Sequence, residues 1–334
     1  MRISPREQSL IGQAVLAPSS HNTQPWRFRV GAATIDLLAD QRRALPINDP
    51  GGRELVISCG AALMTLRVAA ATRGIELAIE RLPDPAEPSW LARVRLGAVD
   101  ADTPSASDAL AALDRLIARR RTLRTGFSAR VIEPDLADQL VEAAAAEGAW
   151  LRPVPAGALR AQVAELVADG DRRQWANRHW RRELAGWMRP RHQGLGLGVP
   201  TLIAPIARWA VAGFDLGGRV GAQDRRLTEA APLLLLLGTD EDAPSVWLRA
   251  GEALQRVLLL ACAGGLQAGY LNQPIQVAEL RPRLQSVTGG GSAQILLRLG
   301  YPDKAPAASA RQPIAAVIKE PVPSTDVVDR GAAE

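Results

Sequence analysis

Apolar and polar positions divide the chain into short alternating segments and two long, nearly continuous apolar ones. Trp26–Val30 and Thr34–Leu38 flank Gly31 in the pattern of a β-hairpin. Glu76–Arg81 and Leu91–Leu96 read as two further strands, separated by the Pro-rich Leu82–Ser89. Later in the chain Trp150–Val154, Pro232–Leu237 and Gln294–Leu299 read the same way, and the unbroken apolar run Leu233–Leu237 marks a buried strand. Glu54–Arg73 is different. Leu55, Ile57, Ala62, Leu63, Leu66, Ala69 and Ala70 cover most of one helical surface, and a helix apolar nearly all round is a central one. Val246–Gly264 is its counterpart. Shorter helices are predicted over Pro5–Leu16, with Ser4 as N-cap and Pro5 at the first helical position, and over Asp108–Ala118, Pro134–Ala146 and Ala156–Asp169. The Trp- and Arg-rich Arg172–Arg191 is expected to be helical and Gly194–Pro200 a mobile loop. Val277–Leu284 is expected as a short helix interrupted by Pro282. Turns are marked at Asn48–Gly52 and Gly289–Gly291, and an extended tail follows Leu299.

The two long helices begin an internal repeat. Gly60-Ala61-Ala62-Leu63 is followed by Gly74-Ile75, and Gly251-Glu252-Ala253-Leu254 by Gly265-Leu266 at the same separation. Arg95-Leu96-Gly97 and Arg298-Leu299-Gly300 end the later strands alike. Pro5–Leu16 before Trp26 parallels Pro134–Ala146 before Trp150. The polar stretch Asp100–Ser107 separates the copies, giving a first half over 1–100 and a second over 101–334. Residues from about 170 to 230 have no counterpart in the first half and read as an insertion, either shaping a pocket or acting as a lid.

Composition narrows the class. With 334 residues, 47% of them hydrophobic, the chain can bury a sizeable core. No apolar run reaches the roughly 18–20 residues of a membrane span, and M-R-I-S-P-R-E-Q has no secretory apolar core. A cytoplasmic protein with no membrane partner is expected. Cys59 and Cys262 lie in apolar helical patterns and read as buried thiols. His21, His179 and His192 lack metal-ligand spacing, so no metal is expected. The net charge of +5 is almost wholly arginine, since Lys304 and Lys319 are the only lysines; it reads as compositional bias, and no nucleic-acid partner is expected.

Three polar stretches stand out against this background. Ala17–Phe28, A-P-S-S-H-N-T-Q-P-W-R-F, puts hydroxyls and amides (Ser19, Ser20, Asn22, Gln24) between Pro18 and Pro25. It is either an ordinary solvated turn or a loop that reads a flat heteroaromatic ring. Arg120-Arg121-Thr122-Leu123-Arg124 is either a solvated basic helix end or a phosphate site, since guanidinium groups offer planar paired donors to phosphate. Leu271-Asn272-Gln273-Pro274 is either a plain connection or a backbone wall beneath a ligand. Ser19, Ser20 and His21 do not form a triad, and no G-x-G-x-x-G is present.

The order of residues in the first loop resembles the A-P-S-x-x-N-x-Q-P-W loop of the nitroreductase family of FMN-binding flavoproteins. Asp49–Leu63, D-P-G-G-R-E-L-V-I-S-C-G-A-A-L, together with the R-R-T segment and the G-x-A-L-x-R-V-L-L helix, is similar to the Acg-like branch, whose two halves are fused. The resemblance covers nearly the whole chain. It implies an α+β, nitroreductase-like fold, two homologous halves forming an intramolecular pseudo-dimer, and one composite FMN site. Pro18, Ser19, Ser20, Asn22 and Gln24 would lie against the flavin ring. Arg120, Arg121, Thr122 and Arg124 match the family's R-x-S-x-R/K segment and would hold phosphate and pyrimidine edge. Leu271, Asn272 and Gln273 would pass under the ring with backbone N–H groups toward N5. Arg311 would be a second phosphate ligand, with Ser309 where many relatives carry lysine. NAD(P)H would donate hydride, and a nitro, quinone or related small acceptor would receive it in a ping-pong cycle. No side chain is assigned as catalytic, because the cofactor carries the chemistry. The resemblance also implies an alternative: a closed lid that lets the protein sequester or store FMN with little turnover.

Overall fold

The computed structural model describes residues 3–99, 108–304 and 306–319. The expected boundary at Asp100–Ser107 lies outside the described residues. The first unit runs α1 (Pro5–Ala14), β1 (Trp26–Gly31), β2 (Thr34–Ala39), α2 (Arg53–Ala71), β3 (Ile75–Arg81) and β4 (Trp90–Val99). Two short helices follow, α3 (Asp108–Ala111) and α4 (Asp114–Ile117), where a single helix was expected. The second unit runs α5 (Pro134–Ala145), β5 (Trp150–Pro153), α6 (Ala158–Ala176), α7 (Arg178–Trp187), α8 (Ala204–Gly213), α9 (Gly217–Glu229), β6 (Leu233–Thr239), α10 (Pro244–Ala263), β7 (Gln267–Tyr270), α11 (Gln273–Gln276), α12 (Arg281–Val287) and β8 (Ser292–Gly300). A short β9 (Ile318–Lys319) closes the tail.

The repeat is visible in the sheets. The first is ordered β3-β4-β2-β1-β9 and the second β5-β6-β8-β7. Removing β9, the two units share one order: first strand, second, fourth, third. In each, a long helix connects the second and third strands, and all pairings within the repeated part are antiparallel. One difference is large. β1 turns directly into β2, whereas the four helices α6 to α9 stand between β5 and β6. The inserted part therefore begins before residue 170: α6 belongs to it, packing along α9, and is longer than the helix predicted over Ala156–Asp169.

The units join through α2 and α10. A Cβ on Gly60 would lie 2.0 Å from the Leu248 carbonyl oxygen, and one on Gly251 2.0 Å from that of Ile57. These are matched glycines of the repeat, so the helices cross at their bare backbones on the pseudo-twofold. Beside the crossing, the fully buried Glu252 accepts from Arg67 at 2.7 Å and from Arg81 at 2.7 and 2.9 Å. A buried carboxylate needs such pairing. Each long helix also packs on its own sheet, giving two cores on either side of the helix pair.

By length and composition α2 could cross a membrane, contrary to the expectation that no segment could; in the fold it is buried as a core helix. Ser4 and Glu7 form a reciprocal capping box at α1. Cys59 and Cys262 are buried free thiols, as expected. The tail is not merely extended: β9 pairs parallel with β1, so the second unit's C-terminal chain returns to the first sheet.

Candidate functional site

A cavity of about 560 Å³ opens between the units, within the size range of ligand sites. Of the thirteen residues expected at a cofactor site, twelve line it. The exception is Gln24. Its side chain is fully buried behind the loop, donating to Gly194 O at 2.7 Å and accepting from Gln312 N at 2.9 Å. It braces the loop from outside and does not face the cavity.

The first loop is tightly tied. Gln24 N donates to Ser19 Oγ at 3.0 Å, and Ser20 Oγ donates to Glu54 Oε2 at 2.7 Å. Asn22 Nδ2 donates to Gly196 O at 3.1 Å and to Ala310 O at 3.2 Å. His21, Asn22 and Gln24 all have positive φ, at 49°, 54° and 51°. Three non-glycine residues in the left-handed region within four positions cost backbone energy, and such strain collects where a surface is held for a ligand.

The basic segment comes from the other unit. It runs beside β7, with Leu123 N donating to Ala268 O at 2.7 Å and Arg121 N to Gln267 Oε1 at 2.6 Å. Arg298 holds it from β8 through Thr125 O at 2.8 Å and Leu123 O at 3.1 Å. Arg120 is 6% exposed, and its Nε and Nη1 have no hydrogen-bond partner. Burial pushes its pKa down, and the charge of Arg121 adds to this. Buried polar atoms are nearly always paired, so an orphaned guanidinium edge facing a cavity is the mark of an anion site. Arg311 lies nearby with its Nε unpaired and its pKa lowered to about 10 by burial and then by Arg120 and Arg121. Its other nitrogens hold the loop, at Asn22 Oδ1 (3.0 Å) and the carbonyls of Leu16 and Ala17 (both 3.1 Å). Burial, with Arg124 beside it, lowers His21 to about 4, so its ring is neutral at physiological pH.

The third segment offers less backbone than expected. Leu271 N is already donated to Leu296 O at 2.9 Å, and its side chain is buried, so that N–H is not free for a ligand. Asn272 Oδ1 accepts from Leu296 N at 2.9 Å, fixing the turn into α11.

Sequence reasoning missed several wall residues. Glu54 accepts from Gln276 at 2.8 Å as well as from Ser20. The insertion supplies Trp175, Trp180, Leu184, Leu197 and Val220. It also supplies Asp171 from α6 and Asp224 from α9, both bonded to Gln273 Nε2. Trp180 Nε1 donates to Asn48 Oδ1 at 2.9 Å, and Glu183 accepts from Ile47 N and Asn48 N at 3.0 and 2.9 Å. The insertion is thus pinned to the first unit beside the cavity. The signals in the sequence were the density of Trp in the segment and its lack of a counterpart in the first half, which mark the insertion but not which of its residues face the cavity.

The chain is 34% identical over 304 residues to the "Putative NAD(P)H nitroreductase Rv3131" of Mycobacterium tuberculosis, covering 88% of this chain and 84% of the relative. The chain belongs to the nitroreductase family. It is also 29% identical to the "Putative NAD(P)H nitroreductase acg" of the same organism, over 92% of this chain and 93% of that one. No protein-family model matches. Among solved structures it aligns with the FMN and NADPH-dependent nitroreductase NfnB of a Sphigopyxis strain, at 20% identity and a TM-score of 0.41, over 62% of this chain and 97% of that one.

Proposed function

We propose that this nitroreductase-family protein is an FMN-dependent oxidoreductase that takes hydride from NAD(P)H and passes it to a nitro, quinone or related small acceptor. The observation that carries the reading is the orphaned edge of Arg120 on a cavity shared by the two units, with Arg121, Arg124 and Arg311 beside it. A phosphate monoester fits these donors, and the strained Pro18–Asn22 loop offers a wall for a flat ring. When bound, FMN supplies the hydride-relay chemistry. The chain's own residues bind and enclose it. Arg120 and Arg311 anchor the anionic end, Arg124 adds positive charge at the mouth, and neutral His21 adds none. The insertion's Trp175, Trp180 and Leu184 exclude water from the cavity.

The test is an anaerobic visible spectrum of the purified protein before and after addition of NADPH. A flavin spectrum that bleaches is expected; a protein that takes up no flavin on reconstitution with FMN would refute the reading. One observation favours a second reading, retention of FMN with little turnover: the insertion is clasped to the first loop through Gln24–Gly194 and Asn22–Gly196. A bound flavin that persists under NADPH would favour it.

A further inference from the structure

Asp171 and Asp224 lie far apart in sequence, on two antiparallel helices of the insertion, and both face the cavity. One amide serves both. Gln273 Nε2 donates to Asp171 Oδ1 and Oδ2 at 3.3 and 3.4 Å and to Asp224 Oδ2 at 2.7 Å, while Gln273 Oε1 has no partner. Asp171 is 3% exposed. Among the described residues neither carboxyl has a salt-bridge partner. The cations acting on them are more distant, Arg172 on α6 for Asp171 and Arg298 on β8 for Asp224, and both are otherwise engaged: Arg172 pairs with Asp169, and Arg298 holds backbone carbonyls. Two carboxyls that share one amide and have no salt-bridge partner disfavour carrying two charges, which favours a proton on the pair. Burial, and then Asp224, raise Asp171 to about 7; burial raises Asp224 as well. The same cavity holds the unpartnered, buried edge of Arg120, so the pair faces a space built for a ligand.

We propose that the Asp171–Asp224 pair is the proton donor for the acceptor half of the reaction. This rests on the oxidoreductase reading above. Two-electron reduction of a quinone consumes one hydride and one proton. The hydride forms a new bond at one end of the quinone, and an electron pair moves through the ring to the opposite oxygen. That oxygen takes the proton as the carboxyl O–H breaks, giving hydroquinone and a carboxylate that solvent reprotonates. For a nitro group, one hydride and one proton give the nitroso compound and water. A carboxyl raised to about 7, as Asp171 is, is matched to this task. The insertion is then more than a cover: it adds a carboxyl pair to the cavity wall built by the two repeated units.

The test uses the flavin-loaded protein and the variants Asp171→Asn, Asp224→Asn and the double substitution. Asparagine can still accept from Gln273 but cannot deliver a carboxyl proton. FMN affinity and the rate of bleaching by NADPH are measured in the same variants, and the loss in reoxidation is expected to exceed any change in either. Reoxidation by menadione should slow on the order of a hundredfold in the double variant, the usual scale of general-acid catalysis, and lose its dependence on pH near neutrality. Reoxidation by ferricyanide, which takes one electron and no proton, should be nearly unchanged. Infrared spectra at neutral pH should show a protonated-carboxyl band that disappears in the double variant. An unchanged menadione rate, an equal fall with ferricyanide, or no such band would overturn the assignment. Loss of FMN from the wild-type protein would instead sink the oxidoreductase reading and this one with it.

Discussion

Replacing Arg120 by alanine tests the anion site from two sides. The side chain is 6% exposed, and its Nε and Nη1 are unpaired without ligand. The flavin-free fold therefore bears the cost of a buried, poorly solvated charge, as its lowered pKa records. Removing it should leave the flavin-free protein at least as stable, because alanine relieves that cost while losing the packing of the stem. Binding should suffer. A charge-assisted hydrogen bond is worth about 1.5–3 kcal/mol, so the variant should bind FMN about 2 kcal/mol more weakly, roughly thirtyfold in Kd. Fluorescence quenching of free FMN on titration gives the affinity, and thermal melts without and with FMN give the stability. Arg120→Lys, which keeps the charge but not the planar fork, should fall between. An unchanged Kd would refute the site. A large loss of flavin-free stability would show that Arg120 is structural rather than held in reserve for a ligand.

Other perturbations probe the scaffold. Gly60→Ala should destabilise the protein by about 2 kcal/mol or more, since its Cβ would meet the Leu248 carbonyl at 2.0 Å; a Tm equal to wild type would contradict the crossing. Trp180→Phe leaves Asn48 Oδ1 without its donor, costs about 1 kcal/mol, and should speed FMN release measured by stopped-flow fluorescence. Asp171→Asn should change the pH profile of stability. The folded carboxyl keeps its proton up to about pH 7, whereas the unfolded one loses it near 3.8, so the folded state holds more protons across that interval and wild-type stability falls as pH rises through it. In melts from pH 5 to pH 8 the variant's Tm should gain on the wild type; a constant difference would show that Asp171 is not perturbed.

The sequence alone determined what local pattern and self-similarity can carry. The apolar surfaces of α2 and α10, the matched Gly60 and Gly251, and the hairpin Trp26–Leu38 were legible because periodicity and turn chemistry are written in adjacent residues. The A-P-S-S-H-N and R-R-T-L-R stretches were legible as candidates because each is contiguous. Tertiary structure decided the rest. The insertion's true start at α6 shows only in the sheet order, since the helix over 158–176 is locally like any other. Gln24 sits in the motif yet turns away, because its left-handed backbone and its bonds to Gly194 and Gln312 fix its direction. Two strands were missed as well: β7 is only four residues long, and β9 exists through its partner, β1. The Asp171–Gln273–Asp224 cluster is invisible in one dimension, because no spacing rule links residues joined only by the packing of α6 on α9 and α11. Local pattern therefore showed most elements of the two repeated units, while the later helices of the insertion, the short strands β7 and β9 and the meeting of distant charges came from packing.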